Sequence, residues 1–167
     1  MKHNEKRRSV LKDIGMGMAG LLGIATVKAA PARTKKEVVG KIVEDQKMPL
    51  FSGAVKHGNT LYIAGKGAHF DGDIKAHTDH VLNEVQKELE RNGSSMEQVL
   101  KVNVYLADLA DYHKMNEVYR GRFGENPPVR TTVATYGGVP GSSLVEIDCI
   151  AAVSYTHLRA HETLRNL

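Results

Sequence analysis

At 167 residues with 41% hydrophobic content, the chain is long enough to bury one sizeable core, and its single cysteine, Cys149, excludes an intrachain disulfide. The formal charge of +4 and pI near 9.1 are concentrated at the ends: residues 1–29 carry six Lys or Arg against two acids, and residues 154–167 carry two Arg against one Glu. The 124 residues between them hold 15 basic and 16 acidic side chains, so the body offers no electrostatic footprint for a phosphate backbone and nucleic acid is not an expected partner.

Residues 1–30 read as an address. Lys6-Arg7-Arg8-Ser9-Val10-Leu11-Lys12 precedes an uncharged run from Ile14 to Val27, and small residues follow at Ala29, Ala30 and Ala32. A charged start, a short apolar stretch and an Ala-x-Ala-like end describe an export signal, and the run is too short for a retained membrane-spanning helix. The paired arginines followed by Leu-Lys resemble the twin-arginine motif, with Val10 where phenylalanine is usual. The mature chain is therefore expected in the periplasm, without stable membrane association once the signal is removed.

Residues 31–153 form the expected domain. Arg33 to Lys47 reads as an extended lead-in or edge strand. Phe51 to Lys56 and Thr60 to Ala64 flank His57-Gly58-Asn59 as a hairpin, and Asp71-Gly72 marks another tight turn. From His77 to Arg91 the period changes: Val81, Leu82, Val85 and Leu89 share a face, with Thr78 as candidate cap and Gly93 as terminator. Ser95 to Gln98 has capping-box spacing for a short turn. Leu100, Val102, Val104 and Leu106 then alternate with polar residues as a strand buried on one face. Helical spacing returns from Asp111 to Phe123 through Tyr112, Met115, Val118 and Tyr119, ending at Gly124. Strands follow from Arg130 to Tyr136 and from Leu144 to Ala152. This order predicts an α+β fold, a two-layer sandwich of one mixed β-sheet with two helices on one face. Residues 154–167 resemble the translation of a transposase adapter used in sequencing libraries and are read as a non-native tail, so the His157/His161 pair is not taken as a metal site.

The chemistry gathers in Asn126-Pro127-Pro128-Val129-Arg130-Thr131-Thr132-Val133. Two prolines stiffen the approach, and the guanidinium at the start of a strand can take a carboxylate through two parallel hydrogen bonds, unless Arg130 is simply a surface residue at a strand end. Glu146 and Asp148, two apart on the last strand, share a face and serve either chemistry or a subunit interface. His77, Asp79 and His80, with Asp71 and Asp73, read as a solvated turn and helix start rather than a metal cluster. Gly137 to Gly141 lacks a following helix and is not a phosphate loop. Cys149, in the apolar run Ile147 to Val153, reads as core.

From about Lys47 to Ala152 the chain resembles the Rid family, the YjgF-like reactive intermediate deaminases. The resemblance is carried by Gly58-Asn59-Thr60-Leu61-Tyr62-Ile63-Ala64-Gly65, by Leu100 to Leu106 with Met115-Asn116-Glu117-Val118-Tyr119, by Asn126 to Val133, and by Val145-Glu146-Ile147-Asp148-Cys149-Ile150-Ala151. It implies a chorismate-mutase-like homotrimer with clefts between subunits that hydrolyses 2-imino acids such as 2-iminopropanoate or 2-iminobutanoate without metal or cofactor. Arg130 would then bind the substrate carboxylate, and Glu146, one strand away, would orient or activate the water. Phe51, Gly65 and Thr132 would line the cleft. Phe51 stands where some members have tyrosine, and Ala64 and Lys66 replace the usual Ser and Gln. The alternative is a noncatalytic exported trimer that binds small carboxylates or acts as a holdase.

Overall fold

The computed structural model describes residues 34–153; the expected signal and tail lie outside the described residues. Ten elements follow in order: β1 (Lys36–Val38), β2 (Ile42–Asp45), β3 (Met48–Ser52), β4 (Ala54–His57), β5 (Thr60–Lys66), α1 (Ile74–Arg91), β6 (Val99–Leu106), α2 (Tyr112–Tyr119), β7 (Val129–Ala134) and β8 (Val145–Ala152). Six strands form a sheet in the order β1-β4-β5-β8-β6-β7, while β2 and β3 pair as a separate hairpin. Only β6 and β7 run parallel, with α2 as their crossover, so the sheet is mixed. The expected α+β sandwich is the observed one.

Strict alternation along β8 builds the core. Val145, Ile147, Cys149 and Ala151 are buried against Val81, Leu82, Val85 and Leu89 of α1 and Met115 of α2. Glu146, Asp148 and Ile150 face the opposite way, onto the side of the sheet that carries no helix. There Asp148 accepts hydrogen bonds from Asn103 Nδ2 (2.8 Å) and Tyr105 Oη (3.1 Å). Burial, with Asp148 close by, raises the Tyr105 phenol above its usual range.

Several local expectations need correction. Phe51 to Lys56 is not one strand: Phe51 lies in β3 of the separate hairpin, which ends at Ser52, and β4 begins only after Gly53. Helix α1 starts at Ile74, with Asp73 rather than Thr78 as its cap; Asp73 accepts from Ala76 N–H at 2.8 Å, while the Thr78 hydroxyl is buried and donates to the Ile74 carbonyl. Leu100 is 54% exposed because it is the extra residue of a bulge in β6, and Val99 takes the buried place. Helix α2 ends at Tyr119, although Phe123 beyond it is still buried. His77 is not solvated. It is 2% exposed, its Nδ1 accepts from Leu144 N–H (3.1 Å), and its Nε2 therefore carries the proton donated to the Phe70 carbonyl (2.9 Å).

His77 belongs to a clasp between the loop after β5 and the loop before β8. Ala68 N–H donates to Ser143 Oγ (2.8 Å), which donates on to the Val145 carbonyl (2.7 Å). Replacing His77 with alanine strands Leu144 N–H and the Phe70 carbonyl, so His77→Ala should cost about 2–4 kcal/mol. Urea unfolding measures it, and a loss below about 1 kcal/mol would show that the clasp does not hold these loops.

Candidate active site

Arg130 enters on β7 opposite Val102 of β6, and Val102 is buried in the core, so the guanidinium leaves the sheet on the helix side. Helix α2 receives it. Asn116 Oδ1 accepts from Nη1 at 2.8 Å and Tyr112 Oη from Nη2 at 3.3 Å, while the cation lies 4.6 Å from the ring centroid of Tyr119. Tyr112, Asn116 and Tyr119 fall at i, i+4 and i+7, one face of a helix. That spacing was visible in the sequence, but the tyrosines read as core and Asn116 carried no signal. Two of the five guanidinium N–H groups are engaged by side chains, so the fork is oriented yet keeps donors for a ligand.

Thr132 lies two residues on, on the same face as Arg130. Its hydroxyl and that of Tyr119 are buried without a hydrogen bond of good geometry among the described residues, and Tyr119 also lies within the electrostatic reach of Arg130. Burial pushes the Tyr119 phenol up to about 12, against the opposing pull of Arg130.

Glu146 occupies the other face. On β8 it pairs with Tyr105, whose side chain points away from the helices, and β6 lies between β8 and β7. The expectation that Glu146 stands one strand from Arg130 at a shared site is therefore corrected for the single chain: the two are two strands apart and on opposite faces. The physical reason is the period of the strand, which sends alternate residues to opposite sides.

Glu146 instead meets Gly65. On β5, Ala64 and Gly65 together oppose Asp148, a bulge between the pairs Ile63↔Cys149 and Lys66↔Ile147. A Cβ on Gly65 would lie 2.6 Å from Glu146 Cδ, so the absence of a side chain leaves the space that the carboxylate occupies. Phe51 and Gly65 line a cleft of about 540 Å³ between the β2–β3 hairpin, the end of β5 and α1. Lys66, Glu88, His69 and His80 complete much of its wall. The predicted residues thus fall in separate places: Arg130 with Thr132, Glu146 against Gly65, and Phe51 with Gly65 along the cleft, whose lining does not include Glu146. No group of three or more His, Cys, Asp or Glu among the described residues is arranged to hold a metal ion.

A sequence profile of the family described as Endoribonuclease L-PSP matches residues 43–153. A RutC family protein of Pyrococcus horikoshii is 42% identical over 125 residues, covering 70% of this chain and 97% of that relative. Reactive Intermediate Deaminase A, chloroplastic, of Arabidopsis thaliana is 27% identical over 165 residues, covering 87% and 88% of the two chains. Among solved structures, Rv2704 from Mycobacterium tuberculosis, described as a member of the YjgF/YER057c/UK114 family, is similar with a TM-score of 0.62 at 26% identity, over 71% of this chain and 100% of that one.

Two outcomes follow from this geometry. Because Gly65 abuts the flexible end of Glu146 rather than backbone, Gly65→Ala should cost less than about 1 kcal/mol on urea unfolding while displacing the carboxylate in a crystal structure; an unmoved Glu146 would contradict the contact. The second concerns alkali. Burial also raises the Cys149 thiol from its ordinary 9.0 to about 12, as it raises Tyr119 from 10.0. Between those ordinary values and 12 the native chain holds protons that the unfolded chain has released, so stability should fall as pH rises from about 9 to 12, with no contribution from either group to a change below that. Urea midpoints across this range test the sign.

Proposed function

The chain belongs to the Endoribonuclease L-PSP family, also known as YjgF/Rid, and from that premise we propose that it hydrolyses 2-imino acids such as 2-iminopropanoate or 2-iminobutanoate to 2-keto acids and ammonia, at clefts completed between the subunits of a homotrimer. The observation that carries this reading is the oriented, incompletely used guanidinium of Arg130, set on the opposite side of the sheet from the Glu146 carboxylate that abuts Gly65. A relative named Reactive Intermediate Deaminase A supports the reaction class.

In the proposed reaction Arg130 of one subunit grips the substrate carboxylate through parallel N–H donors, with the Thr132 hydroxyl available beside it. Glu146 of a neighbouring subunit accepts a proton as water adds to the C=N carbon: a C–O bond forms and the iminium nitrogen takes the π electrons. The tetrahedral carbinolamine then collapses. Its hydroxyl proton departs, C–N breaks, and the nitrogen leaves as ammonia on receiving the proton held by Glu146. The chemistry draws on the electrophilicity of the imine itself.

Subunit assembly is supported by the sheet face without helices, where Tyr62, Val129 and Val133 are exposed apolar side chains around the Asp148 network. The twin-arginine-like start supports periplasmic placement of this chemistry, with an imine source such as amino-acid oxidation.

Freshly generated 2-iminobutanoate tests the reading through ammonia release. Arg130→Ala should lower kcat/KM at least about a hundredfold, and Arg130→Lys should recover only part of it because lysine lacks the fork. Equal rates for wild type and Arg130→Ala would leave only the noncatalytic carboxylate-binding or holdase reading. Co-refolding the two weak variants Arg130→Ala and Glu146→Gln should restore roughly a quarter of wild-type activity, since random trimers place both native side chains at one interface in four. Mixed trimers with no recovery would place the site within a single subunit.

A further inference from the structure

Two phenols of α2 bracket the Arg130 guanidinium, and they differ in what their hydroxyls can reach. The cation lies 4.6 Å from the ring centroid of Tyr119 and 5.8 Å from that of Tyr112, seven residues earlier on the same helix face. Tyr119 is 9% exposed and its hydroxyl is closed off from solvent, so a ligand arriving at the fork does not meet it. Tyr112 is only half-buried. It packs against the edge of the core and sets its ring edge-on to that of the exposed His113, with centroids 5.5 Å apart.

The proton on Tyr112 has no assigned place. Its phenol oxygen accepts from Arg130 Nη2 at 3.3 Å, which commits a lone pair and leaves the O–H free to turn elsewhere. That bond is the sole side-chain hydrogen bond of this hydroxyl among the described residues, so its own proton has no acceptor there. A phenol polarised by a cation becomes the better donor. Two of the five N–H groups of the fork are spent on Asn116 and Tyr112, and three remain. With the Tyr112 O–H they make four donors, as many as the lone-pair sites of one carboxylate.

Resting on the reading of Arg130 as the carboxylate grip, we propose that Tyr112 is a second substrate-binding residue, whose hydroxyl donates to the carboxylate oxygen nearest Nη2. The bound acid then completes a path that runs from guanidinium through phenol to carboxylate, alongside the direct N–H contact. This arrangement selects the free acid by more than its charge. An ester or primary amide of the same acid offers one strong acceptor oxygen in place of two, and so leaves the phenol or part of the fork unpaired.

Calorimetric binding of 2-oxobutanoate, the stable keto-acid product, to the full chain tests the assignment apart from turnover. Tyr112→Phe, which keeps the ring, should weaken Kd about tenfold with an unchanged urea midpoint, and should raise KM for 2-iminobutanoate by a like factor with kcat within about twofold. In the Arg130→Ala background Tyr112→Phe should cost about a further threefold or more in kcat/KM, whereas a residue that only steadied the fork would cost nothing once the fork is gone. Unchanged Kd and KM in Tyr112→Phe, or no further loss in the Arg130→Ala background, overturns the assignment of Tyr112, while ammonia release by wild type keeps the hydrolase reading. Keto-acid binding that depends on Tyr112, without ammonia release by wild type, sinks the hydrolysis and leaves Tyr112 a binding residue. Absence of both binding and release overturns both.

Discussion

The capture of the Arg130 guanidinium by one face of α2 is the interaction on which the functional geometry depends. An arginine near the start of an edge strand would ordinarily sample many rotamers in water, at a cost of roughly 2 kcal/mol to immobilise. Here Asn116 and Tyr112 fix the plane of the fork and the Tyr119 ring supports the cation from beneath. That ordering is supplied by the fold before any ligand arrives. It also explains why α2 must cross over between two parallel strands: the connection returns the chain to the side of the sheet from which Arg130 emerges.

The same sheet enforces separation. Side chains on adjacent positions of β8 cannot share a face, and a strand committed to burying Val145, Ile147 and Cys149 has no choice but to present Glu146 and Asp148 to the other side. Core packing and the placement of the carboxylate are therefore one decision. The bulge in β5 refines it: two residues opposing one let Gly65 make room for Glu146 while Lys66 swings under α1.

Around the cleft, the loops that carry Gly67 and His69 are tied to the β8 approach through Ser143 and His77. His69 Nδ1 lies 3.2 Å from the Gly141 carbonyl as well. These bonds join segments some seventy residues apart and satisfy backbone groups that the loops would otherwise bury unpaired. A cleft walled by loops thereby gains a fixed outline.

The sequence alone carried the fold class, both helices and the central strands, and it made Arg130 a candidate, because hydrophobic period and turn chemistry are local properties. Val81, Val85 and Leu89, or Val102, Val104 and Leu106, announce their buried faces without any knowledge of what covers them. The exceptions were also local in origin but invisible in composition: Leu100 joins the apolar alternation until a bulge ejects it, and Asp73 displaces Thr78 as the cap because the helix begins three residues earlier. What only the tertiary structure decided is which residues meet. The roles of Asn116 and Tyr119 beside Arg130, of Gly65 beneath Glu146, and of Lys66 within the cleft depend on contacts between elements distant in sequence. Likewise, the placement of Arg130 and Glu146 on opposite faces follows from strand order and register, which are set by long-range pairing and by the side on which α2 packs, and no periodicity within either segment encodes that choice.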